Sequence, residues 1–202
     1  MYGRGCNVFI NEDKKTGLSL DQKEMRMKFL GGFAGQLVSG MIWLIASAIS
    51  VLINEKYGMA VLFFGSMGIF PLTQLVLKMM GRNSKVSKNN DLWTLGSQTA
   101  FTVPINFLLV GAIILYNPGW FFPATMIIVG SHYLPFITLY GMKMFGVLSV
   151  ILILTGAFLA LYGPSIFSLG GWITGIVLIL FAFIGRALVL KEEKNDKKAE
   201  NI

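Results

Sequence analysis

The sequence predicts an all-α membrane protein, six spanning helices arranged as three hairpins, N-in and C-in. Three observations carry that fold class. Six apolar stretches each approach the ~20 residues that a helix needs to cross the hydrocarbon core. A mean hydropathy of +0.67, with 54% hydrophobic and 13% charged residues in 202, is far more apolar than a soluble domain of this length. Sixteen of the seventeen Lys and Arg residues fall in alternate gaps between the stretches or at the ends. Only cytoplasmic loops collect basic residues in that way, which places both termini inside.

Taken in order, residues 1–28 read as a cytoplasmic segment with an interfacial helix. Ser19 and Gln22 have capping-box spacing, and Leu20–Leu30 mixes Lys, Glu and Arg with Met25, Met27 and Phe29. Residues 1–17 are polar and expected to be mobile. The six spans are Phe29–Ile53, Tyr57–Met80, Leu92–Tyr116, Trp120–Tyr140, Phe145–Tyr162 and Ile166–Leu188, within a domain of residues 29–190. The first is too long for a signal peptide, and no small-residue cleavage site follows it. The turns NEKYG, YNPGW and YGPS are short, and Gly and Pro force tight reversals in the last two. The longest link is GRNSKVSKNND (81–91), on the basic side. Residues 191–202 form a charged cytoplasmic tail, also expected to be mobile.

The net charge of +7 has a plain source. Its basic clusters flank membrane helices without interleaved aromatic residues, so they suit anionic lipid headgroups, at about 1 kcal/mol per residue, and not nucleic acid. Cys6 is alone and on the reducing side, which excludes a disulfide within the chain.

Polar residues inside the spans are the functional candidates, because hydrocarbon penalises them unless they are paired or wet. No Asp or Glu lies within a span, and proton-coupled carriers and intramembrane hydrolases usually rest on such groups. Thr94, Gln98, Thr102 and Asn106 recur every four residues and form one helical stripe. Pro104 is read as lying in that stripe, and it removes the hydrogen-bond donor of the Ala100 carbonyl. At about 1.5 Å per residue, Gln36, Gln74, Gln98, His132 and Tyr140 all fall within roughly 5–15 Å of the inner boundary. The expected site is a cytoplasm-facing polar pocket built from Gln36, Gln74, Gln98, Thr102, Asn106, His132 and Tyr140. Interhelical hydrogen bonding, worth about 0.6–2 kcal/mol per contact, is the structural alternative for the same residues. His132 is the one titratable group well inside the spans; its apolar flanks Val129, Leu134, Pro135 and Phe136 suit a hydrogen-bonding role. No second His, and no Cys or carboxylate, stands at ligand spacing in the spans, so neither a metal nor another cofactor is expected.

Small residues have their own pattern. Gly31, Gly35 and Ser39, and again Gly32, Gln36 and Gly40, give the first span two ridges, and Gly171 and Gly175 form GxxxG in the last. Such ridges let helices approach closely, here within one chain more readily than between two.

The run GIFPLTQLVLKMMGRN (68–83), the loop ending Asn90-Asp91-Leu92, the third helix with Gln98 and Pro104, and GSHYLPFITLYG (130–141) resemble a small bacterial integral-membrane family of unknown function. The resemblance covers about residues 57–145. His132–Pro135 through Leu139–Tyr140 is its distinctive part, and Asp91 stands where that family would carry Pro. It implies six helices in a bacterial cytoplasmic membrane and transfers no activity. The YNPG turn and Gly-rich hairpins are also similar to bacterial six-helix acid-stress membrane proteins. Two functions are then expected. The first is binding or transport of a small neutral or amphipathic molecule. The second is a non-transporting stress, immunity or accessory role, with membrane lipids, a membrane protein or a second copy as partner. An enzyme ranks third, since nucleophile, base and metal ligands do not assemble from these residues.

Overall fold

The structure, a computed structural model, describes residues 5–82 and 84–200, with backbone alone for 5–16 and 200. Arg4 and the side chain of Cys6 lie outside the described residues. The elements are α1 (Gly5–Lys28), a 3-10 turn (Leu30–Gly32), α2 (Phe33–Leu52), α3 (Glu55–Met79), α4 (Leu92–Tyr116), a second 3-10 turn (Pro118–Trp120), α5 (Phe121–His132), α6 (Leu134–Tyr140), α7 (Met144–Tyr162) and α8 (Leu169–Glu200). No strand occurs among the described residues. Six helices are long and apolar enough to cross a membrane, with α5 and α6 together making the fourth. α1, the 80–91 loop and the tail of α8 gather at one end of the bundle, the basic end.

Three local expectations fail. Ser19 does not start a helix, because α1 begins at Gly5 and runs through it. Gln22 instead donates its amide to the Thr138 carbonyl at 2.7 Å. Residues 191–200 are not a loose tail but continue α8. The reason is charge pairing: Arg26 meets Glu192 at 2.5 and 2.7 Å, Lys23 meets Asp196 at 2.8 Å, and Arg82 meets Glu193 at 2.6 Å. The fourth span is broken between His132 and Leu134. Pro135, in the first turn of α6, has no N–H to give the preceding turn.

Glycine decides which helices lie closest. A Cβ on Gly40 would stand 2.9 Å from the Gly175 carbonyl oxygen, and one on Gly175 would stand 3.0 Å from that of Gly40. α2 and α8 therefore touch backbone to backbone. Between α5 and α7 the same role falls to Gly156, where a Cβ would meet the Pro123 carbonyl at 2.8 Å. The first hairpin is closed as tightly, since a Cβ on Gly58 of α3 would stand 2.6 Å from the Ala46 carbonyl oxygen of α2. α4 has no comparable seam, and α3 and α4 are the least buried of the six spans.

α1 turns under the basic end through a hinge of three consecutive positive φ angles: Leu30 at 49°, Gly31 at 60° and Gly32 at 79°. Two of these are glycines, for which the left-handed region carries no Cβ clash. The hinge folds α1 back so that Met25 and Phe29 are buried against the bundle.

Candidate functional site

A cavity of about 740 Å³ lies between α2, α3, α4 and the broken α5–α6 span, inside the size range of sites for drug-sized ligands. From the turn before α2 and along that helix, Gly32, Gln36, Ser39 and Trp43 line it at helical spacing of i, i+4, i+7 and i+11, with Gly35 and Ile42 beside them, so one side of α2 supplies the wall. Trp93 to Phe107 mark its reach along α4, about 21 Å at 1.5 Å per residue. Met25 of α1 and Phe29 just after it close it at the basic end. At the other end an aromatic cluster closes it. Trp43 packs on Phe122 with centroids 5.9 Å apart, Phe107 on Phe63 at 5.4 Å, and Phe121 stacks on Phe167 at 6.3 Å.

The chemistry of the wall is apolar with a few neutral polar groups. Among the described residues none that lines it carries a formal charge. Gln36 is its most informative member. The side chain is only 2% exposed, and neither its amide nitrogen nor its amide oxygen has a hydrogen-bond partner among the described residues. Ser66, Thr73 and Thr125 also face the cavity, but each returns its hydroxyl hydrogen to a carbonyl of its own helix. Tyr133 and Tyr140 are buried and add two phenols. The Thr102 hydroxyl donates to the Thr99 carbonyl at 2.7 Å. Its oxygen therefore accepts from His132 Nδ1 at 2.9 Å, which assigns the Nδ1–H tautomer from the network.

Of the seven residues picked from sequence, the fold brings Gln36, His132 and Tyr140 to the cavity. Thr102 touches it only through His132. Gln74 accepts from the Ser84 hydroxyl at the loop end of α3, outside the cavity. Gln98 is exposed and makes no hydrogen bond among the described residues, and Asn106 donates to the Thr102 carbonyl at 2.8 Å. The helical phase explains this split. Gly96, Ala100, Val103 and Phe107 turn one side of α4 to the cavity, while Thr94, Gln98, Thr102 and Asn106 lie on roughly the opposite side. Sequence reasoning missed Ser39, Trp43 and Tyr133. The i, i+4, i+7, i+11 run from Gly32 was the signal that marked the first two.

Two prolines add backbone acceptors to the wall. Pro71 on α3 deprives the Met67 carbonyl of its helical donor, and Pro104 on α4 does the same to Ala100. All four residues line the cavity.

No curated protein and no solved structure matches this chain. One family model does, over residues 18–187, which contains every spanning helix up to the last turns of α8 and extends beyond the segment that carried the resemblance in sequence. By that match the chain belongs to a family of unknown function, DUF7010.

Proposed function

We propose that this protein, oriented with both termini in the cytoplasm, binds a small neutral amphipathic molecule in the cavity between α2 and the α5–α6 span. The observation that carries this reading is the orphaned amide of Gln36, buried in a cavity large enough for a ligand. Leaving a buried amide unsatisfied costs about 1–3 kcal/mol, and a ligand with an adjacent donor and acceptor recovers it. An ion is a poor fit. The wall offers no counter-charge, and moving an unpaired charge out of water is far more costly than moving a dipole. Binding is favoured over passage, because the aromatic cluster of Trp43, Phe121, Phe122 and Phe167 closes the end opposite α1.

One observation favours the accessory reading beside it. Thr94 and Gln98 are exposed on α4 and their side chains make no hydrogen bond among the described residues, which a partner helix or headgroup could satisfy.

A density map of the protein in lipid nanodiscs separates the two. The binding reading expects an elongated non-protein density in the cavity, one end within hydrogen-bond reach of Gln36. A cavity filled by repacked side chains, with Gln36 bonded to protein, would overturn it.

A further inference from the structure

The walls of the cavity differ sharply in exposure, and the difference maps its mouth. At the basic end, Met25, Phe29, Leu139 and Tyr140 are buried, and Trp93, on the α4 side, is exposed, at 39%. At the far end, Trp43, Leu62, Phe107 and Thr125 are buried too. On the α3–α4 side the wall is open: Met67 and Phe70 are each 51% exposed and Phe101 65%, although all three line the cavity. Phe70 lies nine residues from Met79 at the end of α3, and Phe101 nine residues from Leu92 at the start of α4. At 1.5 Å per residue both stand about 13 Å from the basic end, close to the middle of a core about 30 Å thick. Neither ring contacts another aromatic ring among the described residues. The opening therefore faces hydrocarbon, not water.

From this geometry we infer that the cavity is loaded sideways from the bilayer, between Phe70 and Phe101, and that its occupant is a neutral single-chain lipid. This inference rests on the binding reading above and names its ligand class and route. An acyl chain suits the apolar wall and the membrane-facing mouth. The head must be uncharged, since no lining residue carries a charge. It must also hold both a hydrogen-bond donor and an acceptor. Gln36 offers one of each, and the carbonyls of Met67 and Ala100, freed by Pro71 and Pro104, accept a hydroxyl or amide hydrogen beside the mouth. A hydroxyl-rich ester or amide head meets those terms; a phosphodiester does not. The aqueous route is shut by α1, which is tied down by Arg26–Glu192, Lys23–Asp196 and the hydrogen bonds from Ser87 and Asn90 to Glu24.

Trp43 provides the readout, since it lies at the deep end of the cavity and is 2% exposed. The protein, with Trp93, Trp120 and Trp172 replaced by Phe, is reconstituted in vesicles. Vesicles then deliver either a monoacylglycerol dibrominated along its chain or a phosphatidylcholine brominated at the same carbons, bromine being a contact quencher. The expected result is quenching of Trp43 by the monoacylglycerol alone, lost in Gln36→Leu. In a Cys6→Ser background, bridging Phe70→Cys to Phe101→Cys with a bismaleimide should slow quenching at least about tenfold. Phe101→Ala should speed it, and a bismaleimide bridge between Lys23→Cys and Asp196→Cys, whose parent side chains meet across an ion pair, should leave it unchanged. Slowing by the α1 bridge and not by the α3–α4 bridge would overturn sideways loading while leaving the site intact. Equal quenching by phosphatidylcholine would overturn the ligand class, with bilayer chains merely filling the opening. Quenching by neither lipid would overturn the ligand class proposed here, while the binding reading stands or falls with the density at Gln36.

Discussion

Gly40→Val is expected to destabilise the protein by about 3 kcal/mol, toward the upper end of what forced overpacking costs. The first added carbon already falls 2.7 Å from the Ile179 side chain and 2.9 Å from the Gly175 carbonyl oxygen. A backbone oxygen cannot swing aside as a side chain can. α2 and α8 must then separate, and α2 carries Gln36 and Trp43 into the cavity. Gly111→Ala is the matched control, because nothing lies within 4 Å of a Cβ there. It should be neutral or stabilise by up to about 1 kcal/mol, the gain in helix propensity over glycine. Thermal unfolding in detergent reads both; equal effects from the two substitutions would contradict the assigned seam.

Arg26→Ala is expected to cost about 1–3 kcal/mol, between the values for exposed and for buried ion pairs, since both partners are only partly exposed. Most of that loss comes from stranding Glu192, so Arg26→Ala with Glu192→Ala should be less destabilised than Arg26→Ala alone. The neighbouring Glu24 gives the docking of α1 on the 80–91 loop a pH dependence. Burial raises its carboxyl, but hydrogen bonds from Asn90 and Ser87 outweigh that and hold it below the ordinary 4.5. A depressed folded value means stability that is present above 4.5 and is lost as pH falls through the folded value. The unfolding temperature should therefore be flat above that point and drop below it, and the drop should shrink in Glu24→Gln.

The bilayer made most of the fold legible. Apolar length and Lys/Arg placement mark spans without any knowledge of packing, and the observed helix ends from Leu30 to Leu169 lie within three residues of the limits read from sequence. What the sequence concealed were contacts between distant segments. The acidic residues Glu192, Glu193 and Asp196 look like a solvated tail until α1 and Arg82 are placed beside them. Polarity by itself also misjudged the site. The Thr94–Asn106 stripe drew attention because it is periodic, yet its helical phase turns it away from the cavity. Gln36 was found from depth alone, and its lack of a partner became visible only once α2, α3 and α4 were in place. Ser39 and Trp43 share its helical face, but without the facing helices nothing distinguished a cavity wall from a packed core.

The central claim is that Gln36 awaits a ligand and does not hold the bundle together. Gln36→Leu tests it most directly, measured by thermal unfolding of delipidated protein and by native mass spectrometry of protein taken from membranes. The claim requires that the variant be as stable as the parent or more so, by up to about 1–3 kcal/mol, because an unsatisfied buried amide is removed. It also requires that a co-purifying lipid-sized adduct present on the parent be lost. A loss of stability of that size, with the adduct unchanged, would show that Gln36 is interhelical glue and would contradict the claim.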